Sequence, residues 1–485
     1  MCVAGLVLAC WGNARAAGQS GAPAATAAAE SGSSVSTGPA PVTGPVSVAP
    51  NADSFQGSVT QGQVSPQPLD LTLDDAIQRG LKTNLGMILS GTQTAAARGQ
   101  QLSQLQALLP TVSFSGSESV QQVDLAAEGL RLPGFPTVIG PFGYTDLRAY
   151  LKWSVADLGS LHDYLASRHN FNAAQLSAQD ARDMVVLTIG NAYLLVLADR
   201  SRVTSVEAEV ATAKVSLNEA VANHNAGTAP ILDVLRARVD YQSLEQQLIA
   251  SRDSLDKDKL ALARTIGLPL GQAFNLTDTT PYSVFDGIDL KGLIQQAESN
   301  RKDLAATVEQ AAAAQEERKA AKAARYPVAT ISTDYGDIGV TLAHSHGTFD
   351  ATGAVSVPVF KEYGLRGQAE QAQAQLDVAQ AQLSDKKAQV EADVRDALLD
   401  IASTRQQVDV ARSSVDLANE ELKEAQERYA NGVSDNLAVS QAQQSLAQAS
   451  DQYVVSLYRN NVAKLSLARA LGAAQDYRKY LGPKP

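Results

Sequence analysis

The chain has 485 residues, enough for two or three ordinary domains or one elongated one. Aromatics make up only 5% while Ala and Gln abound, so Ala-rich helices packed along their length are expected in place of a bulky globular core. The net charge of −11 argues against nucleic acid as a partner.

The two cysteines, Cys2 and Cys10, both stand near the N-terminus, so the remainder has neither a thiol metal framework nor a disulfide scaffold, as befits an exported protein. Val3 to Trp11 form an apolar run too short to span a bilayer, followed by Ala14-Arg15-Ala16, an A-x-A cleavage pattern. The basic residues that usually precede such a run are missing, which leaves the true start open upstream. Val7-Leu8-Ala9-Cys10 loosely resembles a lipoprotein box. Three readings stay open: a signal peptide over 1–16 cleaved near Ala16, lipidation of Cys10, or no export signal. Residues 17–68 are Ala/Gly/Ser/Pro-rich with almost no charge and read as a flexible tail.

From residue 69 one unit occurs twice, over 69–287 and 288–473, with a short tail at 474–485. "LTLDDAIQRGLKTN" at Leu71 matches "IDLKGLIQQAESNR" at Ile288, and Pro110 falls on Pro327 at the same offset. Further on, Gly227 matches Gly432, and Arg264-Thr265-Ile266-Gly267 matches Arg469-Ala470-Leu471-Gly472 at a smaller offset, the difference lying in a longer first loop, Asp124 to Pro141. Each unit reads as helix, strand pair, long helix, turn, long helix.

In both units a helical Ala/Gln/Leu stretch meets a proline and turns to alternation, at "LLPTVSFSGS" and "ARYPVATIST". Between Gly143 and Val155, Leu147, Ala149, Leu151, Trp153 and Val155 share one face, and Asp146, Arg148, Tyr150 and Lys152 the other. Between Thr348 and Phe360, Phe349, Ala351, Gly353, Val355, Val357 and Val359 oppose Thr348, Asp350, Thr352 and Ser356. Nothing interrupts the helix from Leu161 to Asn225, about 100 Å at 1.5 Å per residue. Val196, Val203, Val210 and Leu217 fall seven apart, as do Val394, Ile401, Val408, Val415, Leu422 and Tyr429, which marks coiled-coil seams.

About ten residues of alternation is the length of a tilted membrane strand. No run of 18 apolar residues occurs; the nearest, Met184 to Ala198, holds Thr188, Gly190, Asn191 and Tyr193 and reads as buried helix. Four strands cannot close, and an open edge in lipid leaves N–H and C=O groups unpaired, so several chains are needed. Three would supply twelve strands. Leu147, Leu151, Trp153, Val355 and Val357 are then the lipid-facing residues; Glu118, on a face with Val112, Phe114 and Val120, is the exception.

This order, the proline opening each first strand, and the turn "NHNAGTAPILDVLRARVDY" with its echo "RYANGVSDNLAVSQAQQSL" resemble the TolC-like outer-membrane efflux family over about Leu71 to Gly472. The resemblance implies a mainly α fold with membrane β: coiled-coil helical hairpins forming a periplasmic tunnel, and two β-hairpins giving four strands to a trimeric twelve-stranded barrel. It implies a homotrimer in outer-membrane lipid, meeting a periplasmic adaptor and an inner-membrane pump, as the exit duct of a tripartite efflux or type I secretion system. Gly227 and Gly432 take the helix-hairpin turns. Asp233 takes the gate aspartate position; its counterpart in the second hairpin is Ala438, with Asp435 one turn earlier, and Tyr429 is the aromatic before the glycine, where the first hairpin has His224. Ser434 stands where some members carry a basic locking residue. A ring of aspartates at a narrow pore favours cations; an aspartate there also serves simply to solvate a first helical turn.

No catalytic constellation or cofactor motif stands out, and no enzyme is read. His344 and His346 lie in a hairpin tip without a carboxylate cluster, and His162 and His169 are seven apart on a long helix, where they read as surface residues. The alternative to a duct is a soluble periplasmic coiled-coil scaffold, against which the uncharged Leu147–Val155 face argues.

Overall fold

The computed structural model describes residues 52–127, 129, 133–134, 136–279, 282–283, 289–431, 433–434 and 436–482. The expected signal segment with Cys10, residues 17–51 of the expected tail, Gly432 and Asp435 lie outside the described residues.

β1 (Leu69–Leu71) leads into α1 (Leu73–Thr83), whose start is capped reciprocally by Thr72 and Asp75. Asn84 caps α2 (Leu85–Gln106) through the Gly86 N–H at 2.9 Å. Pro110 then forbids continuation, and the chain enters β2 (Thr111–Asp124) and β3 (Val138–Ala156). α3 (Leu158–Asn225) and α4 (Ile231–Thr265) follow, then β4 (Phe274–Leu276), which pairs in parallel with β1. The second half brings α5 (Leu290–Asn300), α6 (Lys302–Ala323), β5 (Val328–Gly339), β6 (Ser345–Ser356), α7 (Glu362–Ala430) and α8 (Asn436–Ala470), and ends in α9 (Arg478–Leu481). Element lengths match across the halves: 22 residues in α2 and α6, 68 and 69 in α3 and α7, 35 in α4 and α8.

β2, β3, β5 and β6 form one antiparallel sheet in that order, so the β3–β5 ladder stitches the two halves together. The strands begin and end differently from the alternation pattern. β3 opens at Val138, which shortens the expected Asp124–Pro141 loop. β6 stops at Ser356, because its partner β5 starts at Val328, just past Pro327, and Pro358 has no N–H to donate.

Packing follows the sevens. Val394, Ile401, Val408 and Leu422 are buried on α7, as are Val196 and Val203 on α3. A second row escaped the sequence pattern: Ala397, Thr404, Ala411, Ala418 and Ala425, also seven apart and buried. These small side chains let α8 approach closely, which an Ala-rich composition conceals. The apolar window of α3 has a mean hydropathy of 1.4, enough by composition for a membrane helix, but 61% of it is buried inside the protein. Val185, Ile189 and Tyr193 there are fully covered, and the Tyr193 hydroxyl donates to Asp278 Oδ2 at 2.8 Å.

Both expected tails prove partly structured. Phe55 is buried and stands where a Cβ on Gly86 would lie, and Gln61 N–H donates to the Gly267 carbonyl at 3.0 Å, so 52–68 are held rather than free. At the other end Ala474, Tyr477 and Leu481 are buried in the main core, and Tyr477 bonds Asp74. A short segment lacking its own periodicity can still dock into pockets that other elements build.

Candidate functional site

Two places carry the expected site residues: the four-stranded sheet and the ends of the helical hairpins. Cross-strand pairing sorts the sheet into rows. One face carries Phe114–Ala149–Tyr335–Phe349, then Val112–Leu151–Thr333–Ala351, then Trp153–Ile331–Gly353, then Ala329–Val355. These side chains are unusually exposed for their size, Phe114 at 74% and Phe349 at 76%. Trp153 lies one row from the end of the band, its indole N–H donating to the Leu108 carbonyl at 3.0 Å where helix turns to strand. Leu147 packs over Gly116, where a Cβ would come within 2.8 Å of its Cδ2. Val357, expected in this band, lies past the end of β6 and joins no ladder.

Register also accounts for Glu118. Its row is Glu118–Thr145–Gly339–Ser345, level with the β5–β6 turn and beyond the apolar band. The β2–β3 hairpin continues past it.

The opposite face is polar. Arg148 reaches over Gly336 to donate to Thr348 Oγ1 at 3.0 Å, and pairs with Asp334 and with Asp146. Gly336 is required by close approach: a Cβ there would meet the Leu147 carbonyl at 2.4 Å. One guanidinium thus bridges β3, β5 and β6 directly behind the apolar band. The sheet has one face suited to hydrocarbon, interrupted by Asp337 in the Leu147 row at its loop-side border, and one suited to water.

At the hairpin end, Gly227 takes φ +75, closing the α3–α4 turn with the Thr228 N–H on the Asn223 carbonyl at 2.9 Å. Asp233, in the first turn of α4, is 6% exposed. Its backbone carbonyl accepts from Asn436 Nδ2 at 3.5 Å, so in this arrangement it sits between α4 and α8 rather than open to solvent. Tyr429 packs with Leu422, Ala425, Val439 and Ala442, and its buried hydroxyl finds no hydrogen-bond partner among the described residues. Tyr429 is thus held in the α7–α8 seam and Asp233 in the α4–α8 contact.

Two bonds that the sequence pattern missed hold the hairpins together here. Ser440 donates to Asp240, and Gln443 Nε2 donates to Ser216 Oγ at 3.0 Å. Asp240 lies seven residues past Asp233, on the same helix face, a spacing that would have found it. The helices pack in the order α4, α3, α8, α7, and the two outermost carry exposed apolar residues: Leu232, Leu235 and Val239 on α4, Val410 and Leu417 on α7.

The long-helix histidines are partnered, not free on the surface. His162 meets Glu316 at 2.7 Å and His169 meets Glu309 at 2.8 Å, tying α3 to α6. Among the described residues no group of His, Cys, Asp or Glu could hold a metal ion.

The sequence matches the family model described as outer membrane efflux protein twice, over residues 87–268 and 293–473. It is 24% identical over 424 residues to the toluene efflux pump outer membrane protein TtgC of Pseudomonas putida, covering 83% of each chain. In fold it resembles the outer membrane protein VceC of Vibrio cholerae, with a TM-score of 0.73 at 21% identity over 82% of this chain and 96% of that one. It also resembles the CmeC outer membrane channel of Campylobacter jejuni, with a TM-score of 0.72 at 18% identity over 87% and 92%.

Proposed function

Because the chain belongs to the outer membrane efflux protein family, we propose that it forms the passive exit duct of a tripartite efflux or type I secretion assembly. The observation that carries this reading is the four-stranded sheet with one hydrocarbon-like face, one charged face, and free edges at β2 and β6. Such a sheet is unstable alone in lipid, since each edge exposes unpaired N–H and C=O groups. Pairing β6 of one copy with β2 of the next satisfies both edges, and three copies give a twelve-stranded barrel. The exposed apolar residues of α4 and α7 support the same closure, because they lie on the outer helices of a layer ordered like the sheet. A soluble scaffold would leave Phe114, Val355 and Phe349 in water for no return.

In this reading the halves 69–287 and 288–473 are duplicated repeats, and the helical hairpin ends meet an adaptor and an inner-membrane pump. Asp233, Asp435 and Tyr429 belong to the gate, with the Ser440–Asp240 and Gln443–Ser216 bonds as its latch. Reconstitution tests the proposal. In detergent the protein should have three times the 51.0 kDa protomer mass and should conduct ions across planar bilayers; a water-soluble, non-conducting monomer would refute it.

The latch gives a separate expectation. A hydrogen bond to a charged group contributes about 1.5–3 kcal/mol, so Asp240→Ala should shift each protomer's closed–open balance by about tenfold or more toward open. Single-channel recording would show higher open occupancy, and Ser440→Ala should mimic it. Unchanged occupancy in both variants removes the latch.

A further inference from the structure

Between the main core, whose last members here are Leu197 on α3 and Leu255 on α4, and the hairpin-end cluster of Leu217, Ala220, Val234 and Ala237, α3 buries Val203, Val206 and Ala213 together with the Asp199 carboxyl. In the interval, Asp199 is 5% exposed and continues the inward row Asp199, Val206, Ala213, Ala220, where coiled coils place apolar residues. Asp258 faces it from the equivalent row of α4, within reach of a shared proton. Apart from a proton shared with Asp258, Asp199 Oδ2 meets no donor among the described residues, and Oδ1 lies 3.8 Å from Arg202, whose better partner is Asp451 at 2.6 Å.

Ten residues along, a cavity of about 410 Å³ opens between α3, α4, α7 and α8. Glu209 lines it, with a buried Oε2 that meets no hydrogen-bond partner among the described residues. The titratable groups facing the two carboxyls are Arg202 on α3, Asp258 on α4, and Asp451 and Tyr458 on α8. From α7 the cavity meets Asn419, Leu422 and Gln426, none of them charged. Arg202, the cation beside Asp199, lies closer to Asp451, so the buried Asp199 carboxyl is poorly compensated. Such packing is tolerable only while some of the carboxyl groups are neutral.

We propose that this interval is a proton-operated hinge: protonated, Asp199 and Glu209 let the α3–α4 hairpin pack against α8; ionised, they force the interval open and free the hairpin end to swing. Burial, reinforced by Asp451, pushes the Glu209 carboxyl up to about 7. Burial first, then Asp258, raises Asp199, with Arg202 opposing. A carboxyl with a raised pKa when packed holds its proton more tightly packed than open. The packed state is therefore favoured in acid and weakens as pH climbs from the ordinary carboxylate range through neutrality. That this swing changes conduction rests on the exit-duct reading; the stability change does not.

The test uses the full chain in detergent. The melting midpoint of the helical signal should fall by about 5 °C between pH 5 and pH 8. Asp199→Asn with Glu209→Gln should erase more than half of that fall, and Glu209→Gln alone, at a half-buried position, a smaller part. In planar bilayers the wild-type open occupancy should rise about twofold or more over the same range, and stay level in the double variant. An unchanged fall in both variants overturns the hinge. Loss of the pH-dependent midpoint in the variants, with no conductance in any protein, sustains the hinge and overturns the duct.

Discussion

Replacing Leu151 with arginine is expected to abolish assembly of the outer-membrane form while leaving the helical content intact. Leu151 sits in the middle of the exposed apolar face, between the Phe114–Phe349 row and the Trp153 row. An arginine near the bilayer midplane of a barrel costs about 2–4 kcal/mol, and three copies in a trimer bring this to roughly 6–12 kcal/mol. That rivals the whole stability of an ordinary domain. The helices lie outside this sheet and keep their own cores, so far-UV circular dichroism should barely change. Ser113→Arg is the control, one residue from Val112 but on the charged face, and should assemble. The measurements are recovery in outer membranes and native mass. If Leu151→Arg assembles as well as Ser113→Arg, the apolar face does not meet lipid.

The second large effect concerns stability. Arg301 is 4% exposed at the start of α6, and its guanidinium grips Asp303 at 3.0 and 2.7 Å and Asp393 on α7 at 2.5 Å. Lys386 also reaches Asp303, at 2.9 Å, and Arg469 of α8 pairs with Asp180 of α3 at 2.5 Å beside it. The cluster joins both halves where α3, α6, α7 and α8 meet. Arg301→Ala leaves Asp303 with Lys386 at 2.9 Å and Arg469 farther off at 3.9 Å, and leaves Asp393 without its partner, at a cost of about 3–5 kcal/mol. The melting midpoint should fall by roughly 3–5 °C. Arg301→Lys, which keeps the charge but not the fork, should recover only part of this.

The pH profile gives the sign. Burial alone would raise the Asp303 carboxyl, but hydrogen bonds from Arg301 and Lys386 overcome it and hold the group well below the usual carboxylate range. Its stabilisation is therefore complete above about pH 5 and lost as acid protonates it. Arg301→Ala should flatten the acid limb of the stability curve. An unchanged acid limb would show that Asp303 draws nothing from Arg301.

These two clusters differ in how far the sequence announced them. Leu151 could be read from alternation alone, because a strand places every second residue on one face wherever it pairs. Arg301 could not: its partner Asp393 lies on another helix, and nothing near either residue marks the pair. Ser440 was hidden for the same reason, although its partner Asp240 stands at a readable seven-residue spacing from Asp233, and Phe55, Tyr477 and Leu481 were hidden because their pockets belong to other segments. Asp233 shows the limit at a residue that was found. The family resemblance put it at the hairpin end, but not in the contact with α8 where it is buried.

What the amino-acid order determined by itself is whatever repeats locally. The sevens of the long helices, the alternation of the strands, the prolines that switch one to the other and the glycine at the first hairpin turn all follow from backbone geometry within a few residues. The tertiary structure decided the rest: strand register, the end of β6 at Ser356, the close Ala397–Ala425 row, the buried ion cluster and the burial of Asp199 in an apolar row. Each depends on which distant surface arrives opposite, and that is settled by packing and desolvation across the whole fold rather than by any local preference.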